Sequence, residues 1–439
     1  VKDIAPTLAA LVLVGAPLSI FARSLGRNAP LVLVAGVVQF VAALIHVAIV
    51  RSYYGYGDMI SYWRSGMALA QGLESGWIDF TEVLRLILQI PTSLAVLGSG
   101  RSTGSMHGIS GLLCYVFNGS LVAACVFISL VGFAGRLAFW SVVRNLWPSR
   151  ERALLVACLV IPSTVFWSAG LLKEAVAMPG LFLAAASVVK VVETRRLSAL
   201  SFAGIAAGVP LVALTKPYLL FPLLIGVTAA GFIRARVYLT RAASPEVLVA
   251  TVGLIALGEL FPRYALENVV DSAEDLRRAG ETHAGGSSFE VPRVALVPLG
   301  VLTALFRPLL LEARNPLLAL SALEMTIFSV LFLRALWRPR AVIALAQRSR
   351  LLLLSAGFVA VFSVALGIST TNLGTLARYR APMMPFYAVF LIGAGAAQRR
   401  LRLPASRKGR VSATCDSGRC APANRAPPVR SASVEGGPQ

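Results

Sequence analysis

One carboxylate, Asp58, stands in "RSYYGYGDMISYWRSG" (Arg51 to Gly66), directly after the 21-residue run "PLVLVAGVVQFVAALIHVAIV", whose only titratable residue is His46. An acid at such an exit can take a proton from a hydroxyl. Arg64 follows one turn and a half later. Cations and further acids recur at the ends of other apolar runs. "VFWSAGLLKEAVAMPG" carries Lys173 and Glu174, "ALTKPYLLFP" carries Lys216, "ALFRPLLLEARNP" carries Arg307, Glu312 and Arg314, and "TTNLGTLARYRAPMMP" carries Arg378, Tyr379 and Arg380. Any one of these cations could reach a lipid phosphate from a helix end. Several tight or proline-flanked turns supplying them together point to a site for an anion. Pro382 disfavours helix at the residue before it, so 378–380 is expected to be extended, with Arg378 and Arg380 on one side and able to grip one phosphate. Lys173 and Glu174 are adjacent, so on a helix they face different ways.

The elements that must carry these residues are membrane helices. The 439-residue chain is 57% hydrophobic and 14% charged, with mean hydropathy +0.75. Its long apolar runs are continuous rather than alternating, which excludes a β-barrel reading and a soluble domain. We expect an all-α polytopic bundle of about eleven spans with half-helices on the outer face. The spans are placed near 4–22, 30–50, 119–142, 153–168, 175–192, 199–215, 219–233, 246–262, 317–336, 351–368 and 382–398. The run Ile4 to Ala22 lacks a small-residue cleavage pattern and is expected to stay as a span. The stretches 83–97 and 294–306 read as interfacial or re-entrant, and 108–117 as a half-helix ending at "NGS", 118–120.

Residues 1–398 are expected to form the membrane domain, with outer loops at 51–107 and 263–293, and 399–439 a disordered basic tail. Placing alternate loops and the C-terminus inside puts 26 basic and 5 acidic residues there, against 15 and 15 outside. That excess predicts a cytoplasmic C-terminus in a cell membrane and an outer-face Asp58. The formal charge of +21 falls in short clusters between apolar runs, a topology signal rather than a nucleic-acid face.

Some groups read as structural. Cys114, Cys125 and Cys158 lie within apolar runs and are expected to pack there, and Cys415 and Cys420 match no zinc spacing. His46 is expected to bond a neighbouring helix, His107 could reach the outer face, and Phe166–Trp167 reads first as an interfacial anchor. Glu324, two turns inside its span, needs a partner or a wet cavity.

A base at the outer face, cations beside it and a lipid-facing body suit one reaction. A sugar leaves a polyprenyl phosphate, whose growing charge the cations stabilise, while Asp58 deprotonates the acceptor hydroxyl. The residues "GDMISYWRSG", "PSTVFWSAGLLKEAVAMPG" and "NLGTLARYRAPMMPF" resemble segments of the GT-C superfamily of polytopic membrane glycosyltransferases, in particular bacterial protein-mannosyltransferase-like and exopolysaccharide-type members. The resemblance implies Asp58 as the catalytic residue, read here as the general base, and the charges that punctuate the apolar runs make Arg64, Lys173, Glu174, Lys216, Arg307, Glu312, Arg378, Tyr379 and Arg380 the substrate-binding candidates. It implies a polyprenyl-phosphate-linked sugar donor and a glycan or lipid acceptor as partners in the bilayer, and no nucleic acid. No cofactor is required by these residues. A divalent cation stays open, because Gly57 precedes Asp58 where many members carry a second acid. A polysaccharide polymerase and a non-enzymatic flippase of lipid-linked glycans stand as alternatives.

Overall fold

The computed structural model describes residues 2–96, 98–235, 297–337, 339–346, 349–370 and 373–400. The expected span 246–262, the loop 263–293 and the tail beyond Arg400 lie outside the described residues. Regular structure among the described residues is entirely helical. In chain order it comprises α1 (Ile4–Arg23), α2 (Gly26–Tyr54), α3 (Asp58–Glu74), α4 (Phe80–Ile87), α5 (Ser102–Val116), α6 (Leu121–Leu146), α7 (Glu151–Leu159), α8 (Pro162–Trp167), α9 (Lys173–Thr194), α10 (Ala199–Thr215), α11 (Leu220–Ala235), α12 (Val297–Phe306), α13 (Pro316–Leu336), α14 (Pro339–Ala346), α15 (Arg350–Ser369), α16 (Leu373–Arg380) and α17 (Met384–Arg400). Six of these helices, namely α1, α2, α6, α9, α13 and α15, are long and apolar enough to cross a membrane. The chain is therefore a helical membrane protein.

Burial grades the bundle from centre to rim. In α9, 83% of the most apolar window is buried, against 6% in α1. α9 therefore packs on all sides, whereas α1 turns most of its apolar surface outward. α10 folds back along α9, and Gly180 and Gly208 let the two backbones touch. A Cβ on Gly208 would lie 2.5 Å from the Gly180 carbonyl oxygen. The three cysteines within apolar runs are free and buried.

The turn at "NGS" falls as expected. Asn118 and Gly119 take positive φ, and the Ser120 side chain caps α6 by accepting the Ala123 N–H. The expected span 153–168, by contrast, is interrupted. α7 ends at Leu159 and α8 begins at Pro162, which has no N–H to continue the ladder. Two charges inside the bundle repair the break. Ser163 gives its N–H and its hydroxyl to the Glu324 carboxylate, at 2.8 and 2.6 Å, instead of returning the N–H to the Leu159 carbonyl. Arg136, fully buried, donates to that carbonyl at 3.4 Å, to the Gly132 carbonyl at 3.5 Å and to the Gln39 side-chain oxygen. Glu324 thus finds the partner its cost in a span demands, and its role is to cap a helix end. Pro162 is the cue to this break that the run's hydrophobicity hides.

Candidate active site

The chain leaves α2 through Gly55 and Gly57, both at positive φ, and Gly57 takes φ 117° and ψ 178°. L side chains avoid that conformation, so the glycine is what turns Asp58 into the first position of α3. Tyr62, four residues on, shares the face of Asp58 and is buried, with its ring edge-on to His107 at 5.1 Å. Trp63 anchors the helix by donating to the Gly119 carbonyl at 2.9 Å.

Three other parts of the fold bring charges to this face. Leu172 is extended and α9 starts at Lys173, so both members of the Lys173–Glu174 pair sit in its first turn. Lys173 donates to the hydroxyls of Thr103 (2.7 Å) and Ser102 (3.2 Å) at the start of α5. Glu174, 1% exposed, lies 2.9 Å from Lys216 Nζ and accepts from Arg378 Nη2 at 2.9 Å. Arg378 Nη1 lies 2.8 Å from Asp58 Oδ2, so the guanidinium bridges the two acids. Lys216 follows α10 and precedes Pro217, which holds it out of helix. Its ammonium lies 4.2 Å from the Tyr379 ring centroid and 5.3 Å from that of Tyr218. Trp167, at the end of α8, has its ring 6.0 Å from the Arg378 guanidinium.

Lys173 and Glu174 face different ways, as adjacent helical residues must: Lys173 points to α5 and Glu174 to the Lys216–Arg378 pair. Three cations and two carboxylates make this cluster, and Lys173 bonds hydroxyls rather than an acid. Burial works against the charge of Arg378, but Glu174 and Asp58 hold it protonated well above the usual guanidinium range. Burial, with Asp58 beside it, pushes the Tyr62 phenol up, so Tyr62 stays neutral. His107 is pulled down, first by burial and then by the Lys173 charge. Its Nδ1 meets the Ser65 hydroxyl, while Nε2 is buried with no hydrogen-bond partner among the described residues.

Several expected members of the site are elsewhere. Residues 373–380 are helical, not extended, because the constraint of Pro382 acts on Ala381, which turns, and does not reach back further. Residues two apart on a helix point apart, so Arg378 and Arg380 do not converge. Arg380 is fully buried and donates to the carbonyls of Ala304 (3.2 Å) and Arg307 and to Ser321 Oγ (3.4 Å), capping the end of α12. Arg307 and Glu312 pair with each other, Arg307 Nε donating at 2.8 Å, and Glu312 also accepts the Leu309 N–H. Arg64 is exposed on α3, about 240° round the helix from Asp58, and among the described residues no hydrogen bond or ion pair ties it to the cluster.

The residues that sequence reasoning left out of the site are Tyr62, Ser102, Thr103 and Trp167. Tyr62 had a signal in its four-residue spacing from Asp58. Trp167 was read as an anchor, yet it lies against Arg378. His46 bonds the neighbouring helix as expected, its Nδ1 3.0 Å from the Phe166 carbonyl oxygen, with the Phe166 ring stacked on it.

No protein-family model, no curated protein and no solved structure matches the chain.

Proposed function

We propose that the chain is an integral membrane glycosyltransferase that moves a sugar from a polyprenyl-phosphate donor to a glycan or lipid acceptor at the outer face of a cell membrane. The proposal includes about eleven spans and a cytoplasmic C-terminus. One observation carries it. Asp58, a carboxylate whose side chain is 51% exposed, pairs with Arg378, which shares the buried Glu174 with Lys216, and Lys173 stands next to Glu174, so that half-buried and buried cations from separate parts of the fold gather beside one exposed acid.

Each part of the reaction has a residue. The acceptor hydroxyl attacks the sugar's anomeric carbon and gives its proton to Asp58. The bond from that carbon to the phosphate oxygen breaks, and the electron pair leaves with the phosphate. Arg378, Lys173 and Lys216 stabilise the charge that appears there. Tyr62, held neutral beside Asp58, can donate a hydrogen bond to the sugar or the phosphate. Glu174 keeps Arg378 and Lys216 aimed and does not itself meet substrate.

A flippase would need unspent charges along a path through the bundle. Arg136 and Glu324 are committed to the ends of a broken helix, which favours the transferase. The arrangement suits a polymerase that joins lipid-linked repeats equally well, since the leaving group is the same.

The test is to incubate purified protein in lipid nanodiscs with radiolabelled polyprenyl-phosphate sugars and candidate lipid-linked acceptors. Transfer should appear in the wild type and fall roughly 10²–10⁴-fold in Asp58→Asn. Equal transfer in the two proteins removes Asp58 as the base.

A further inference from the structure

We infer that the Asp58–Arg378 ion pair is a resting contact that the substrate's phosphate displaces, so that binding the anion sets the base free. This rests on the reading of Asp58 as the base.

The two carboxylates on Arg378 are unequal. Glu174 is 1% exposed and is held by Lys216 as well, so the Nη2 edge of Arg378 is fixed. Asp58 is 51% exposed, and among the described residues no second side chain pairs with it. Half-exposed pairs are weak because water competes for both partners. A phosphate offers more charge and a two-pronged match to a guanidinium. The Nη1 edge is therefore the exchangeable one.

The chemistry requires the exchange. In the resting contact Oδ2 of Asp58 faces the Arg378 guanidinium 2.8 Å away, so that oxygen is turned from any acceptor hydroxyl until the pair opens. Charge balance then selects the ligand. With Asp58 in place, Lys173, Lys216 and Arg378 face two acids, leaving one positive charge in excess. With Asp58 swung toward solvent the excess is two. A donor phosphodiester carries one negative charge, and the departing monoester approaches two. The emptied site thus fits the leaving group better than the donor, the condition for speeding the chemical step. The order of events follows: phosphate first, then release of Asp58, then deprotonation of the acceptor.

Linkage gives the test. If phosphate and Asp58 compete for Arg378, removing the Asp58 charge must tighten phosphate binding. Wild type, Asp58→Asn and Asp58→Ser in nanodiscs are titrated with farnesyl phosphate, farnesol and inorganic phosphate by calorimetry. Both variants should bind farnesyl phosphate roughly fivefold tighter or more, with farnesol unchanged. The same gain with inorganic phosphate assigns the exchange to any phosphate, and a gain confined to farnesyl phosphate assigns it to the lipid-linked group. Either result supports the inference. Equal or weaker binding in the variants overturns it. A wild-type measurement guards against misfolded variants. Carbodiimide modification of Asp58, read by peptide mass spectrometry, should quicken when farnesyl phosphate is added, and slower modification overturns the exchange. Tighter binding without any sugar transfer would sink the transferase reading and keep the exchange. Transfer without tighter binding would do the reverse.

Discussion

Glu174→Gln is the most informative single substitution, because Glu174 is the buried acid that holds two cations. In the variant, Lys216 loses the carboxylate 2.9 Å away, and Arg378 loses one of its two acids. Removing one partner of a buried ion pair costs about 3–5 kcal/mol, since the other charge stays buried without compensation. The cation–π contact of Lys216 with Tyr379, at 4.2 Å, survives and returns about 0.5–2 kcal/mol of stabilisation to the ammonium, but it was present beforehand and does not offset the loss. The expected destabilisation is therefore about 3–5 kcal/mol. The assay is equilibrium unfolding in mixed micelles, with activity measured on the same samples. Glu174→Gln combined with Lys216→Met removes an acid and a base together and should recover more than half of the loss. A double variant as unstable as the sum of the two single ones, or a Glu174→Gln protein within ~1 kcal/mol of the wild type, refutes the hub argument.

Three further outcomes can be checked. Arg378→Lys keeps the charge but loses the two-pronged match to the leaving phosphate, so transfer should drop about tenfold or more while Arg380→Lys mainly lowers the unfolding midpoint; equal effects on transfer would refute the division between the two arginines. Gly57→Ala places a side chain at φ 117° and should cost about 1–3 kcal/mol in unfolding experiments, with misplacement of Asp58 seen as lost transfer; a neutral result would mean that the turn relaxes freely. The His107 pKa is lowered from 6.5 in the folded state, so its neutral form contributes stability that is complete above pH 6.5 and is lost as the pH falls toward its folded value. His107→Gln should flatten that acid-side slope in unfolding midpoints, and an unchanged slope removes His107 as its source.

The membrane helices were legible because a long apolar run leaves little choice but helix, and the charges stood out because they punctuate those runs. That is why Asp58, Lys173, Glu174, Lys216 and Arg378, scattered along the chain, could be read as one group. What hid was local geometry and partnership. Whether Arg380 joins Arg378 depends on the helical turn closing at 380 rather than 377, which a following proline does not decide. Arg307 and Glu312 look like site residues until they meet each other five positions apart. The break between α7 and α8 was masked because its backbone is satisfied by Arg136 and Glu324, residues of other helices, and hydrophobicity carries no record of such partners.

That repair has a consequence for how the protein is made. Leaving the ribosome, α7 and α8 have their loose backbone ends exposed, since Ser163 meets Glu324 only 161 residues later. Arg136, already synthesised, can hold the Leu159 carbonyl at once, but the start of α8 must wait for α13. Trp167 at the far end of α8 waits with it, and Arg378 arrives later still. Biosynthesis thus passes through a stage in which the early helices are inserted and the charge cluster is unassembled. Chains truncated before α13 should be the natural clients of membrane chaperones and proteases, whereas chains that reach α13 can close the interior seal and only those that reach α16 complete the cluster.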